Sequence, residues 1–189
     1  MKSVTIKIEL LSFWHVGSGL GRGADVDALV LKSGDGLPFI PGRTMKGLLR
    51  EGVQNAEDVG HVPVGRTHAL FGRPAANKDV AGSKPGCLQF SDACLPEDEC
   101  NVLAQENCCV LKAELYSPFA STQLDSRGIA VDHSLRTVEL TVPVTLEGRV
   151  SGPENGDWQE DLKKAAPLVR ALGCHRNRGL GRCRVTVGV

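Results

Sequence analysis

Apolar and polar residues alternate at both ends of the chain. Over residues 3–12 every second position is apolar, at Val4, Ile6, Ile8 and Leu10. This period of two is typical of a β-strand with one buried face. The same alternation returns near the end of the chain, at Val185 and Val187. We therefore predict a half-buried strand at each end.

Two stretches between these strands repeat apolar residues every three or four positions, which predicts amphipathic helices. The first begins near Gly42, and its stripe consists of Met45, Leu48, Leu49, Val53 and Ala56. The second covers residues 158–172, with Leu162, Ala165, Val169 and Leu172 on one side. Pro167 lies inside this second pattern, and we expect it to kink the helix because it lacks an amide hydrogen.

Further strands are predicted from short apolar or β-branched runs at residues 27–32, 86–91, 110–115 and 138–147. Pro143 interrupts the last run and indicates an edge or a bulge. Without its insertions the chain reads β, β, α, β, β, α, β. This order predicts an α+β fold with helices on one face of an antiparallel sheet, and we favour a ferredoxin-like core of the RNA-recognition type.

The other segments are predicted to be additions to one domain that covers residues 1–189. Residues 57–109 form an insertion, irregular at 57–85 and acidic and loop-like at 92–107. Residues 117–137 form a long excursion from the core.

The charge balance excludes a uniformly basic nucleic-acid binder, because 22 basic residues face 22 acidic ones. The charges are nevertheless segregated, with Lys and Arg concentrated in residues 43–50 and 170–184 and acids in 92–106. Neither an apolar run long enough to span a membrane nor a signal-peptide cleavage region is present, so we expect a cytoplasmic protein without a membrane partner. Five Phe, two Trp and one Tyr are few for base stacking, which favours recognition of backbone phosphates.

Residues 172–182 carry the most informative pattern, in which glycines and arginines are interspersed between a predicted helix and a predicted strand. Glycine permits close approach of the backbone to a ligand, and the arginine guanidinium suits phosphate. The segment lacks Gly-Lys-Ser/Thr and precedes a strand, so it is neither a Walker A loop nor a dinucleotide fingerprint. It predicts contact with a polyanion; a glycine-rich turn without a ligand is the alternative.

The start of the first helix offers a second phosphate site. Free amides at a helix N-terminus bind phosphate oxygens, and Arg43 and Lys46 lie one turn apart there. Cations at the positive end of a helix are unfavourable by themselves, which favours an anion between them. The alternative is an ordinary solvated first turn.

Asp25 and Asp27 follow the first glycine loop at positions i and i+2, which share one face of a strand. Such a pair suits a divalent cation or general acid–base chemistry. The alternative is a structural role, since aspartates are common beside glycine turns.

The seven cysteines do not predict a disulfide framework, because their number is odd and a cytoplasmic location is expected. Zinc is one alternative, and free or core cysteines are the other. No Cys-x-x-Cys pair occurs, although zinc would help to order the insertion. The candidate ligands are His61, His68, Cys87, Cys94, Cys100, Cys108 and Cys109.

These motifs together resemble the RAMP superfamily of CRISPR-associated proteins, and more narrowly the backbone subunits of type III effector complexes. The resemblance covers most of the chain. Its ordered elements are the glycine loop at residues 12–23, Asp27, the block Leu-Pro-Phe-Ile-Pro-Gly-Arg-Thr-Met-Lys-Gly at 37–47, Leu-Phe-Gly at 70–72, Phe-Ser-Asp-Ala at 90–93 and the terminal arginine–glycine loop.

The resemblance implies a ferredoxin-like palm that holds a guide RNA. It also implies a thumb-like β-hairpin, here within residues 117–137, which kinks the duplex of guide and target. The resemblance also implies assembly with other CRISPR-associated subunits. The residues placed near RNA are Arg22, Arg43, Lys46, Arg127, Arg136, Arg176, Arg178, Gly179, Gly181 and Arg182.

In the target-cutting members of this family, an aspartate after the glycine segment is catalytic. Asp27 falls closest to that position, and Asp25 is its competitor. The resemblance implies an RNA endonuclease that requires a divalent metal such as Mg²⁺ and uses the ribose 2′-OH as nucleophile. It also permits a structural zinc site, here composed of His68, Cys94, Cys100 and Cys108.

Two alternatives remain open at this stage. One is an RNA-binding scaffold subunit of the same complex, in which Asp25 and Asp27 are structural. The other is a guide-processing endonuclease of the same superfamily, for which His15 is the candidate general base.

Overall fold

The computed structural model of the chain describes residues 1–23, 25–73 and 83–188. The strands are β1 (Lys2–Leu10), β2 (Gly72–Arg73), β3 (Lys84–Pro85), β4 (Gln89–Phe90), β5 (Tyr116–Ser121), β6 (Arg136–Thr141), β7 (Thr145–Gly152) and β8 (Cys183–Val187). The α-helices are α1 (Gly42–Asp58), α2 (Arg66–Phe71), α3 (Glu97–Leu103), α4 (Cys109–Glu114) and α5 (Trp158–Ala165).

The main sheet has the strand order β4-β7-β1-β8, and every neighbouring pair is antiparallel. Ile6 lies at its centre, opposite Gly148 of β7 and Val187 of β8. The alternation predicted for β1 is confirmed, because its apolar residues are buried whereas Lys7 is exposed. The predicted α+β fold is confirmed in its coarser form, as a mixed α/β structure with antiparallel sheets.

Helices α1 and α5 pack together and supply one side of the core. The predicted stripe of α1 is buried at Met45, Leu49 and Val53, and α5 contributes Leu162 and Ala165. Burial of these apolar side chains away from water is the main source of stability for the packed helices. Arg66 donates a hydrogen bond from Nε to Asp161 Oδ2 at 2.6 Å, which joins α2 to α5 where the carboxylate is buried.

Three predicted boundaries are wrong. The run at residues 110–115 lies mostly in helix α4 rather than in a strand, since a short apolar run does not by itself distinguish the two. The run at 138–147 is divided between β6 and β7, on either side of Pro143. Helix α5 ends at Ala165, and Pro167 lies in a 3₁₀ turn at Ala166–Leu168.

Other predicted segments are less regular than expected. Only Gln89–Phe90 of the strand predicted at 86–91 pairs as a strand. Residues 27–32 are held by isolated bridges, including Ala28 to Val138 and Lys32 to Pro38. The acidic segment at 92–107 contains helix α3. The irregular insertion predicted at 57–85 includes residues 74–82, which lie outside the described residues.

Strands β5 and β6 form a separate antiparallel hairpin, with Tyr116 opposite Thr141 and Ser121 opposite Arg136. Residues 122–135 connect the two strands, and we call them the hairpin tip. Nearly all of the tip is exposed to solvent. Among the helices of the described residues, none combines the length and the apolar character needed to cross a membrane.

Candidate nucleic-acid interface

The glycine–arginine loop packs against the segment that follows β1. We call the two segments, residues 12–15 and 172–182, the glycine junction. Backbone hydrogen bonds join them: the Gly181 amide donates to the Phe13 carbonyl at 2.8 Å, and the Cys174 amide donates to the His15 carbonyl at 3.0 Å. The Ser12 hydroxyl adds two more, since it accepts from the Arg182 amide and donates to the Gly179 carbonyl, both at 3.0 Å.

Gly181 explains why the junction requires glycine. Its φ is +67°, and a Cβ at this position would lie 1.9 Å from the Leu172 carbonyl oxygen. Any side chain would therefore force the two backbones apart. The residue is buried, whereas Arg178 and Arg182 on either side of it in sequence are exposed. The junction thus presents exposed guanidinium groups on a tightly packed backbone.

An ion pair connects the junction to helix α1. Arg176 donates from Nη1 to Glu51 Oε2 at 3.4 Å. A cavity of about 340 Å³ lies beside this pair, with Leu48, Arg170 and Asn177 among its lining residues. The loop and the helix that the sequence assigned to phosphate contact are therefore neighbours.

The start of α1 differs in one respect from the prediction. The Gly42 amide is not open to phosphate, because it donates to Asp92 Oδ1 at 2.7 Å. Arg43 is exposed and Lys46 is partly exposed, so their side chains remain available to an anion. Arg50, which the sequence argument did not single out, is also partly exposed and lies one turn beyond Lys46.

Asp27 lies at the base of the β5–β6 hairpin. Its Oδ2 accepts the Thr137 amide at 2.8 Å, and its own amide donates to the Thr137 carbonyl at 2.8 Å. Its Oδ1 is 3.9 Å from Arg136 Nη1, and 47% of the side chain is exposed. One carboxylate oxygen is thus anchored by the backbone, while the other lies near the Arg136 guanidinium. Asp25 is also exposed, and its amide donates to the Arg22 carbonyl at 3.2 Å.

Glu139 of β6 was not found from the sequence. Its Oε2 accepts the Val30 amide at 3.1 Å, and its Oε1 accepts a hydrogen bond from Lys32 Nζ at 2.9 Å. It therefore holds the segment that contains Asp27 against the hairpin. No pattern in the sequence indicates this pairing, because the partners are more than one hundred residues apart.

Tyr116 completes this cluster. Lys32 Nζ lies 3.7 Å from the centre of its ring, and its hydroxyl donates to the Gly36 carbonyl at 2.6 Å. Burial, and secondly the Glu139 carboxylate, raise the pKa of Tyr116 well above its usual value, so the phenol stays neutral. Arg22 shares a cavity of about 300 Å³ with Lys32, Tyr116 and Glu139. This polar cavity adjoins the base of the hairpin.

The two arginines predicted on the hairpin have different surroundings. Arg127 lies at the tip and contacts Asp125, with both Nε and Nη2 at 3.3 Å from Oδ2. Backbone hydrogen bonds from Ile129 and Arg127 lower the pKa of Asp125. Arg136 instead lies at the base of the hairpin, beside Asp27.

His15 is buried, and its Nδ1 donates to the Glu139 carbonyl at 2.7 Å. This hydrogen bond ties the junction residue His15 to strand β6. A general base must reach the proton that it removes. Burial of the ring therefore favours a structural role for His15.

The predicted zinc ligands do not assemble. Among the residues that the structure describes, no three His, Cys, Asp or Glu side chains form a group suited to a metal ion. Cys94 and Cys100 line one cavity, but His68 is exposed on α2 and Cys108 is buried beside Asn107. Burial raises the pKa of the Cys94 and Cys100 thiols above its ordinary value. The zinc prediction thus finds no support in this geometry.

The fold defines the chain as a mixed α/β protein built on antiparallel sheets. The sequence profile of the RAMP superfamily matches residues 7–184, which is most of the chain. The chain belongs to the RAMP superfamily. No curated protein sequence matches it.

Solved structures show the same fold at low sequence identity. A chain in the cryo-electron microscopy structure of the type III-B Cmr-beta bound to cognate target RNA is 11% identical, with a TM-score of 0.72; the alignment covers 99% of this chain and 97% of that one. A chain of the apo state of type III-B Cmr-beta is 12% identical, with a TM-score of 0.63 and coverage of 98% and 96%.

Proposed function

We propose that this protein is a guide-RNA-binding backbone subunit of a type III CRISPR effector complex and that it cleaves complementary target RNA. The observation that carries the proposal is the glycine junction, a hydrogen-bonded loop that exposes arginines next to the basic first turns of helix α1. Membership of the RAMP superfamily and the fold shared with chains of type III-B Cmr-beta support it.

The architecture suits such a subunit. The sheet order β4-β7-β1-β8, with α1 and α5 packed together, supports the assignment of a ferredoxin-like palm. The β5–β6 hairpin carries an exposed tip, and we assign it the role of the thumb. In this assignment the palm holds the guide and the thumb contacts the duplex of guide and target.

Guide binding rests on phosphate contacts. Arg178 and Arg182 of the junction, together with Arg43 and Lys46 of α1, supply positive charge to the RNA backbone. Such contacts position the RNA without reading its sequence. One subunit can therefore accept guides of any sequence, as a type III complex requires.

Cleavage is assigned to Asp27. Its Oδ1, which is not the oxygen that accepts the Thr137 amide, is assigned to take the proton from a ribose 2′-OH. The 2′-oxygen then attacks the adjacent phosphorus, the bond to the 5′-oxygen breaks, and that oxygen takes a proton from water. The products are a 2′,3′-cyclic phosphate and a 5′-hydroxyl. The described residues form no metal group around Asp27, so none of these steps is assigned to Mg²⁺.

A scaffold subunit is the second candidate, and a specific observation favours it. Asp27 is hydrogen bonded to Thr137 through both its side chain and its amide, so it could serve only to fix the hairpin. A guide-processing endonuclease that uses His15 is disfavoured because that ring is buried.

A cleavage assay distinguishes the candidates. We would assemble the protein with guide RNA and its neighbouring subunits in Mg²⁺ and follow labelled complementary RNA. Asp27→Ala should abolish the cuts made by this subunit while target binding is retained. Asp25→Ala is the matched control, because it removes a nearby exposed carboxylate, and it should leave cutting intact. Unchanged cutting by both variants would make this chain a scaffold, and loss of cutting in the Asp25 variant alone would transfer the catalytic role to Asp25.

A further inference from the structure

Few aromatic side chains are exposed on the surface of the described residues. Of the large aromatic side chains that the structure describes, only Phe13 and Phe119 are strongly exposed, at 42% and 48%. An isolated exposed phenylalanine is common and needs no explanation. Phe13 differs because it lies inside the glycine junction.

The backbone at Phe13 is fixed on both sides. Its carbonyl accepts the Gly181 amide at 2.8 Å. The next residue, Trp14, is buried and forms a reciprocal backbone pair with Thr141, at 3.0 and 2.8 Å, while its indole donates to the Val142 carbonyl at 2.9 Å. The exposed ring of Phe13 thus projects from a rigid support. Because the backbone is already held in place, binding of a planar partner needs to restrict only the side-chain torsions of Phe13.

The residue types of the junction indicate what kind of ligand Phe13 would bind. The junction segments, residues 12–15 and 172–182, contain Arg176, Arg178 and Arg182 and no acidic residue. An exposed aromatic residue hydrogen-bonded through its backbone to a loop with exposed arginines suits a nucleotide, whose base stacks while its phosphate meets a guanidinium.

We propose that Phe13 is a stacking platform for a nucleobase of the bound RNA. This inference rests on the proposed function and adds base contact to the phosphate contacts described above. Stacking is tolerant of sequence because every base has a flat face. The platform therefore strengthens binding without restricting which guide is carried.

The test measures equilibrium binding of the full chain to labelled single-stranded RNA of mixed sequence at one salt concentration. Phe13→Leu, which keeps an apolar side chain but removes the ring, should weaken binding about tenfold. Phe13→Trp, which keeps an aromatic ring, should bind with the affinity of the parent. The two variants should lose no affinity relative to the parent on an abasic RNA of the same length, which has phosphates but no bases. Val64→Ala, at an exposed apolar position outside the junction, is the control.

The outcomes separate this inference from the proposed function. Equal binding of base-containing RNA by the parent and Phe13→Leu would overturn the stacking role while leaving the proposed function intact. An equal loss on abasic RNA would also overturn it, since the ring would then act without a base. Loss of self-association or of binding to a neighbouring subunit, with RNA affinity unchanged, would assign Phe13 to a protein contact instead. A parent chain that binds no RNA would contradict the proposed function itself.

Discussion

The glycine junction and the hairpin tip contain the same residue types but are built in opposite ways. The junction contains three glycines with positive φ and three exposed arginines, whereas the tip contains one of each, Gly128 and Arg127. In the junction, backbone hydrogen bonds connect residues far apart in sequence, such as Phe13 and Gly181. In the tip, the hydrogen bonds of Asp125 and Ser134 join residues of the hairpin to one another.

This difference shows that composition alone does not decide what a glycine–arginine segment does. Gly181 and Gly128 have similar φ values, +67° and +78°. A Cβ at Gly181 would collide with a backbone carbonyl, whereas a Cβ at Gly128 would have no atom within 4 Å. The junction is thus a fixed surface that depends on the core, and the tip is an independent projection. A fixed surface suits a permanently bound guide, and a projection suits a target that arrives later.

The largest expected effect is on stability. Gly181→Ala should lower the free energy of unfolding by about 3 kcal/mol or more, because strain at positive φ is added to a backbone collision. Gly128→Ala should cost only about 1 kcal/mol, from the strain alone. Chemical denaturation followed by circular dichroism measures both. Equal losses for the two variants would remove the distinction between junction and tip.

A smaller and local effect is expected at Asp125. Its Oδ1 accepts the Arg127 and Ile129 amides, at 2.8 and 2.9 Å. Asp125→Ala should disorder the tip without a measurable change in global stability, which NMR spectra of the tip amides would show. Because the pKa of Asp125 is lowered below its ordinary value of 3.8, its contribution is present above that pH and is lost as the pH falls through the folded pKa.

The outcome that would contradict this prediction is a change in the core. If Asp125→Ala altered the amide signals of β1 or β8, the tip would be coupled to the sheet and the proposed independence would be wrong. Asp125→Asn is the matched control, since its amide oxygen can still accept the same backbone hydrogen bonds. It should retain more of the tip structure than Asp125→Ala.

The sequence predicted those parts of the fold that have a regular pattern. The period-two alternation of β1 and the apolar stripe of α1 are confirmed, because a buried face imposes that spacing. The strand predicted at 110–115 is wrong because a short apolar run does not distinguish strand from helix. Helix α5 ends earlier than predicted because of Pro167. A kink was expected at this proline, but the α-helix stops before it.

The candidate site was predictable only in part. The arginines and glycines of the junction were found because their residue types indicate phosphate contact. Asp92 at the Gly42 amide and Glu139 at Val30 and Lys32 were not identified, since such pairs depend on distant segments meeting in the fold. The role proposed for Phe13 could not be predicted either, because exposure of a ring is a property of the folded chain.

The most direct test of the account is the affinity of the purified protein for guide-length RNA over a series of salt concentrations. We predict that two RNAs of unrelated sequence bind equally and that log K falls linearly with log salt. Arg178→Glu should weaken both equally and reduce the slope by about 0.7 or more. Arg127→Glu, the matched change in the tip, should leave guide binding unchanged. Salt-independent binding, or a loss for Arg178→Glu that depends on RNA sequence, would contradict the account.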